Sequence, residues 1–453
     1  MRQAHRSLAV AAVALCTAAP LRSDDEAVRA GIRMFFATSN VTRRASIARD
    51  IQRDAAFDAG KMSQYLHDAG LIQPLEPGTT QLDVLLPNGV LRRVNLRVPK
   101  RYDHNKPWPL LYALHGTGGN GPGIIRFVEH VLGDKIDDFV IAAPNDYEEA
   151  ALAAAAAPVG EHVLTLRAVR KLVHIDADRV FAMGYSRGGH TSWTLAITHP
   201  DEFAGVIPLA GALLLPQVDK LYDPFVENAA STSVLAAWGA DDSAGDDGGA
   251  SPNGGIAGLN RKLTQFLSSR TLPIKMVELP GTGHAGVLPP TAPLAELLDA
   301  RRERYPKRVK HAFRALSQAR AYWLEGQSWT GSAWDPAKPM TIEPRGKETP
   351  EDALCREIRT RLGGLEGVAQ GNTLDVTRKK LDSLTVWIGD ELGIDWRQPV
   401  VLKMNGRKDW EARLDRSVYV CLSQAAETFD FERLRWAGLQ FRTGRPTTPI
   451  APP

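Results

Sequence analysis

Residues 179–189 read Arg-Val-Phe-Ala-Met-Gly-Tyr-Ser-Arg-Gly-Gly, a strand that turns sharply into a helix. Val180 to Met183 is a short apolar run, Gly184-Tyr185-Ser186-Arg187-Gly188 is a G-x-S-x-G motif, and a helix is predicted from His190 to His199. A strand that passes through so sharp a turn into a helix strains the serine backbone and holds its Oγ clear of the strand. Gly184 and Gly188 suit the turn because a Cβ at either position would clash with neighbouring chain. Ser186 is therefore the candidate nucleophile.

A serine hydroxyl needs a base to remove its proton, and the base needs a carboxylate to fix its tautomer. On such an elbow the chain order is serine, then acid, then histidine. Ser233 to Trp238 reads as a buried strand, with Gly239-Ala240-Asp241-Asp242 directly after it. Asp242 is the first choice for the acid and Asp241 the alternative. Asp246 and Asp247 read as solvated loop, and the acidic spacing fits no EF-hand calcium loop. Ile274 to Leu279 reads as the next strand, and the loop Pro280 to Ala285 after it offers His284. Eleven histidines are present, so order and position decide. His174 precedes the serine, His174 and His199 stand in helix-end contexts, and His311 follows the expected end of this unit. Acyl chemistry also needs amides aimed at the oxyanion. The Arg187 N–H, just after the serine, is one candidate. The apolar strand Leu110 to Leu114 runs into His115-Gly116-Thr117-Gly118-Gly119, and the Thr117 N–H is the other.

With these residues in view the chain resembles the secreted esterases of the α/β-hydrolase superfamily. The likeness rests on His115-Gly116, on Ile175-Asp176-x-Asp178-Arg179-Val180 leading into Gly-Tyr-Ser-x-Gly-Gly, on Asp201-x-Phe203-Ala204, on Gly239-x-x-Asp242 and on Gly283-His284. Polyhydroxybutyrate depolymerase, feruloyl esterase and acetyl xylan esterase types are the nearest in pattern, and prolyl-oligopeptidase-like hydrolases share much of it. The likeness spans about residues 78 to 300. It implies the triad Ser186, Asp242 and His284, with no cofactor and no metal. Two departures stand out: Trp238 where many relatives have histidine, and Arg187 where Met or Gln is common. Arg187 would serve through its backbone, leaving its charged side chain as a candidate for tuning the acids accepted.

The predicted class is α/β: a doubly wound, mostly parallel sheet with an N-terminal helical segment and a C-terminal, small β-rich, sandwich-like domain. At 453 residues the chain should hold two or three domains. Residues 1–23 read as a signal peptide. Arg2 and Arg6 precede the short apolar run Leu8 to Leu15, which is too short to span a bilayer comfortably. Cys16 raises a lipid anchor, but Leu15 before it is bulky for such a site, so a secreted or periplasmic protein is expected. Residues 24–76 carry helical spacing, read as two helices separated near Ser39-Asn40, placed either on the hydrolase or against the rear domain. Residues 77–304 form the hydrolase domain. Its opening hairpin is Leu82 to Leu86 and Val90 to Val98 around Pro87-Asn88-Gly89. Helices are expected near Ile124 to Leu132, Glu148 to Ala157, Leu164 to Val173, Gly258 to Leu267 and Ala292 to Arg302. Strands are expected at Phe139 to Ala143 and Val206 to Leu209.

Residues 305–445 hold seven of the ten tryptophans. Strand-like runs fall at Ala321 to Leu324, Leu384 to Ile388, Val400 to Met404 and Val418 to Leu422, with a helix near Glu351 to Leu362. Residues 446–453 read as a proline-rich tail without fold. Cys355 and Cys421 remain once a leader is removed, and sequence leaves open whether they pair. The 55 basic and 52 acidic residues give a net charge of +3. That balance excludes a strong single-sign field, and the run Arg301-Arg302-x-Arg304 reads as solvated surface rather than a nucleic-acid patch. An ester substrate is the expected partner; oligomeric state is not set.

Three functions fit. The first is a secreted serine carboxylesterase working through an acyl-enzyme, with plant polysaccharide esters among its candidate substrates. The second is a serine peptidase of prolyl-oligopeptidase type, disfavoured because only about fifty residues of helix stand where such enzymes carry a large propeller. The third is a non-catalytic secreted protein whose tryptophan-rich domain binds glycan. Tryptophans filling a small core is the plainer reading of that domain.

Overall fold

All five residues of Leu110–Leu114 are buried, and they alternate between two cores. Leu110, Tyr112 and Leu114 join one cluster, Leu111 and Ala113 another. Such period-two division is what a strand covered on both faces requires. In the computed structural model, which describes residues 25–145, 159–214, 222–244, 254–335 and 338–453, this run lies in the middle of a large sheet. The strands are β1 (Gly78–Leu85), β2 (Leu91–Val98), β3 (Trp108–Leu114), β4 (Val140–Pro144), β5 (Ile175–Tyr185), β6 (Gly205–Leu209), β7 (Ser233–Gly239) and β8 (Ile274–Leu279). Their order is β1-β2-β4-β3-β5-β6-β7-β8. β1 and β2 are antiparallel, β2 pairs antiparallel with β4, and every later pairing is parallel. In the opening turn only Gly89 of the Asn-Gly pair takes positive φ, at +83°.

Helices cover both faces. α4 (Gly121–Leu132) and α8 (Thr291–Leu298) close one core, while α5 (Val159–Arg170) and α6 (Arg187–Thr198) close the other. α7 (Gly255–Leu267) follows β7. The leader at 1–23, the run Glu148–Ala157, and Asp246 and Asp247 lie outside the described residues. Among the described residues no helix is long and apolar enough to cross a membrane.

The later part of the chain forms two five-stranded sheets, and a single core lies between them. One sheet contains β10 (Arg320–Ala321), β11 (Leu324–Trp329), β14 (Leu381–Ile388), β17 (Ala437–Arg442) and β18 (Arg445–Pro449). The other contains β9 (Arg308–Phe313), β12 (Gly363–Gln370), β13 (Thr373–Lys379), β15 (Val400–Met404) and β16 (Arg407–Ala412). None of the seven tryptophans is exposed: Trp323, Trp334, Trp387 and Trp436 are buried, and Trp329, Trp396 and Trp410 pack against the sandwich core. Four of them fill interior outright, and the other three are partly buried against it.

Several expectations need correction. Val418–Leu422 is not a strand but the start of α10 (Val418–Thr428), capped by Ser417. Its buried residues Val418, Cys421, Leu422 and Ala425 fall at helical spacing. Arg445–Pro449 is not free tail: it is the edge strand β18, antiparallel to β17. An edge tolerates Pro446 and Pro449, which lack the N–H a central strand would need. Ala321–Leu324 is a turn between β10 and β11, with Tyr322 at φ +57°. The run Arg301-Arg302-x-Arg304 is not merely solvated: Arg302 is 4% exposed and reaches Asp178 at 3.1 Å and Asp430 at 2.8 Å. The predicted helix Ala292–Arg302 stops at Leu298, before that pairing.

The N-terminal segment supplies α1 (Asp25–Ala37), α2 (Val41–Arg53) and a third helix, α3 (Met62–Asp68). Asn40 caps α2 by accepting the Arg43 N–H. Ile32, Phe35, Ile51 and Leu66 pack with Leu422, Ala425 and Trp436, so this segment sits on the rear domain. A polar chain ties three parts together. His67 Nδ1 meets His174 Nε2 at 2.8 Å, His67 Nε2 meets Glu432 Oε1 at 3.0 Å, and Glu432 accepts the Ala177 N–H at 3.2 Å. α9 (Pro350–Arg361) places Cys355 in the hydrolase core, whereas Cys421 lies with the N-terminal helices. Both cysteines are buried, and no disulfide joins them.

Burial also sets an acid limit. It lowers His162 to about 3 and His199 to about 4, from 6.5. The unfolded chain therefore binds these protons first, so this stability is complete above about pH 6.5 and drains as pH falls toward the lowered values. Between pH 6.5 and 5 each histidine should cost about 2 kcal/mol. Urea unfolding at pH 7 and pH 5 reads that loss directly.

Candidate active site

Ser186 joins β5 to α6 with φ +55° and ψ −117°, a backbone region that side chains rarely enter. Its N–H donates to Leu209 O at 2.8 Å, and its carbonyl accepts the His190 N–H at 3.0 Å. The flanking glycines are steric necessities. A Cβ on Gly184 would lie 2.0 Å from Gly188 O, and one on Gly188 would lie 2.1 Å from Leu114 O. Backbone cannot retreat from such contacts without moving the elbow. Gly188→Ala should therefore cost about 3 kcal/mol or more, at the top of the overpacking range. Urea denaturation of the variant measures it.

β7 ends in Gly239, and the chain turns so that Asp242 points back into the protein, 1% exposed. Its Oδ1 accepts the Ala244 N–H at 3.1 Å. His284 follows β8 and lies between the two other groups. Its Nδ1 stands 2.9 Å and 3.1 Å from the Asp242 carboxylate oxygens, and its Nε2 stands 2.9 Å from Ser186 Oγ. Three side chains spread over 99 positions thus meet in one line. Asp241, the alternative acid, is exposed and instead donates its backbone N–H to Thr282 O at 3.0 Å. His174 and His199 lie elsewhere, in the polar chain with His67 and at the end of α6.

The loop after β3 closes over the serine. Gly119 N–H donates to Gly116 O at 3.0 Å, with Gly118 at φ +72°, so Thr117 and Gly118 occupy the corner of a tight turn. A Cβ on Gly116 would sit 3.8 Å from Ser186 Oγ, so this backbone lies directly beside the nucleophile. Arg187 is the first residue of α6, where N–H groups have no partner within the helix. Trp238, one departure from the esterase pattern, is buried against Ile256 and Ala257.

A cleft of about 500 Å³ opens beside His284. Ile124, Phe127, Tyr185 and Leu288 give it apolar walls. Arg187 is buried and does not line it. Tyr185 belongs to the serine motif, whereas no motif marks Ile124, Phe127 or Leu288, and only their place in the fold reveals them. Residues 146–158 and 245–253 lie outside the described residues. Tyr185 has a further bond that the sequence did not signal: its hydroxyl donates to His284 O at 2.6 Å. Among the described residues no group of three or more His, Cys, Asp or Glu side chains is arranged to hold a metal ion.

No protein-family model matches the chain. In sequence it is similar to feruloyl esterase C of Emericella nidulans, at 31% identity over 138 residues, covering 27% of this chain and 47% of that one. Feruloyl esterase D of Neurospora crassa is 29% identical over 139 residues, covering 28% and 48%. The chain therefore spans about half the length of the curated relatives it matches. A thermostable esterase of known structure aligns over 49% of this chain and 63% of that one, at 19% identity and a TM-score of 0.36. By its strand order and its Ser186 elbow the chain has the α/β-hydrolase fold, and over part of its length it resembles the feruloyl esterases in sequence.

Proposed function

We propose that this protein is a serine carboxylic-ester hydrolase. The observation that carries the reading is the 2.9 Å approach of Ser186 Oγ to His284 Nε2, with Asp242 at 2.9 Å from the far side of the same ring. His284 takes the Ser186 proton as Oγ attacks the ester carbon, and Asp242 holds the Nδ1–H tautomer and offsets the imidazolium charge. The Thr117 and Arg187 amides receive the oxyanion. Collapse expels the alcohol, which takes its proton from His284, and the ester carbon stays on Oγ. Water, deprotonated by the same imidazole, then frees the acid and restores Ser186.

The apolar cleft suits an ester with an aromatic or long apolar acid better than an acetyl group, because burying a ring against Phe127 and Leu288 gains more than burying one methyl. The feruloyl esterase relatives support the same choice. Hydroxycinnamoyl esters, including those carried on plant polysaccharide, are the proposed substrates, met outside the cytoplasm if residues 1–23 act as the export leader read from the sequence.

A fluorophosphonate probe should label the protein at Ser186. In a panel of p-nitrophenyl acetate, feruloyl ester, hydroxyalkanoate ester and aminoacyl-nitroanilide, kcat/KM should be greatest for the feruloyl ester and undetectable for the anilide. A folded protein that ignores the probe, or cleaves the anilide best, would refute the esterase reading.

A further inference from the structure

We propose that Tyr185 is a positioning residue, pinning the loop that carries His284 so that its imidazole stays in line with Ser186; the role rests on the esterase reading above. Tyr185 is the last residue of β5 and the immediate neighbour of Ser186. It is therefore as rigidly placed as the nucleophile itself. Its hydroxyl donates to the His284 carbonyl at 2.6 Å. Its ring meets the imidazole edge-on at 6.1 Å between centroids, and is itself braced by Phe127 at 5.1 Å.

The loop needs such a fastening. Past Leu279 it leaves the sheet, and it carries Gly281 at φ +63°, Gly283 and Gly286 at φ +82°. Glycines on both sides of His284 give this backbone more freedom than any other residue would. Ala285 and Gly286 are exposed, and the His284 side chain is 37% exposed, so packing alone holds it loosely. The Asp241 N–H bond to Thr282 O fixes the loop two residues before the histidine, and the Tyr185 hydroxyl fixes it at the histidine. Strand β5 thus sets nucleophile and base from one rigid element. Burial, with the Asp242 charge adding to it, raises the phenol above its usual range, so it remains a donor at neutral pH.

Tyr185→Phe keeps the ring and removes only the donor. With a p-nitrophenyl ester, kcat should fall about 10–100-fold, the scale of a small misplacement of a reacting group, while KM stays within about twofold. Deuterium uptake across residues 281–287 should rise, with the melting temperature nearly unchanged. Wild-type kcat in the variant would overturn the proposal, as would a loss confined to KM, which would make Tyr185 a substrate wall. Unchanged exchange across 281–287 would overturn it too, and that measurement requires no turnover. A wild-type protein that neither labels nor hydrolyses esters would instead defeat the esterase reading, so the two failures are distinguishable.

Discussion

Ser186→Ala should lower ester turnover by on the order of 10⁶-fold and abolish phosphonate labelling, while the protein still folds. The size follows from the way such groups act as one unit: once the nucleophile is gone, base and acid have nothing to activate, and only the oxyanion amides and binding remain. In free-energy terms the loss is about 8 kcal/mol of barrier lowering. His284→Ala should fall in the same range, because Oγ keeps its proton. Asp242→Asn should cost less, about 10⁴-fold, since the amide can present an N–H to Nδ1 and select the wrong imidazole tautomer. Asp241→Asn is the control: its side chain is exposed and stands outside the 2.9 Å contacts, so turnover should change less than twofold. The Ser186→Ala, His284→Ala double variant should be no worse than either single change. Additive losses would mean that the two side chains act independently and that the line from Asp242 to Ser186 is not the reacting unit.

The parts of this site legible in the sequence are those governed by local geometry. A G-x-S-x-G turn leaves no room for Cβ atoms beside the serine, and the 2.0 Å and 2.1 Å approaches at Gly184 and Gly188 are that constraint in atomic form. Asp242 and His284 were readable because each comes shortly after a strand, buried β7 for the acid and half-buried edge strand β8 for the base, and strand ends in a parallel sheet fall along one edge. What was hidden depends on contacts between distant segments. Tyr185 looks like a free position in the motif, and its bond to His284 spans 99 residues. Val418–Leu422 suits a strand when read alone, and becomes a helix because Ala425 extends the buried stripe toward the N-terminal helices. The strand at Arg445 is the local exception: it pairs with β17 across the turn at Gly444 (φ +72°), and its two prolines disguise it as tail. Arg302 reads as surface until its acceptors, 124 and 128 positions away, are known.

Arg302→Leu should destabilise the protein by about 3–5 kcal/mol, the usual result of removing one member of a buried ion pair. The Arg302 guanidinium side chain is fully buried, and it bridges Asp178 of the hydrolase sheet to Asp430 beyond α10, both carboxylates being 3% exposed. Without it the nearest cation Asp430 keeps among the described residues is the more distant Arg433 Nε at 3.5 Å, beside the Glu432 and Arg433 backbone N–H groups at 3.3 Å and 3.0 Å. Asp178 keeps Arg304 at 2.6 Å, so Asp430 should suffer most. Burial pushes the Asp430 carboxyl up, but Arg302 and then Arg433 overcome that and hold it below its usual range. A carboxylate so depressed adds stability above its unfolded value near pH 3.8, and that contribution is lost as pH falls through the native one. Arg302→Leu should therefore also flatten the acid arm of a stability-against-pH curve. The double variant Arg302→Leu, Asp430→Leu discriminates between a charge left stranded and a cavity. If the stranded carboxylate dominates, removing it should recover more than 1 kcal/mol of the single-variant loss, since apolar groups can replace a buried pair at little cost. If the double variant is instead worse than the single by a full additive step, packing rather than charge holds this junction. Because Arg302 fastens the rear domain to β5 well below the elbow, turnover per folded molecule should remain near wild type in the single variant, and the loss should appear in the denaturation midpoint alone.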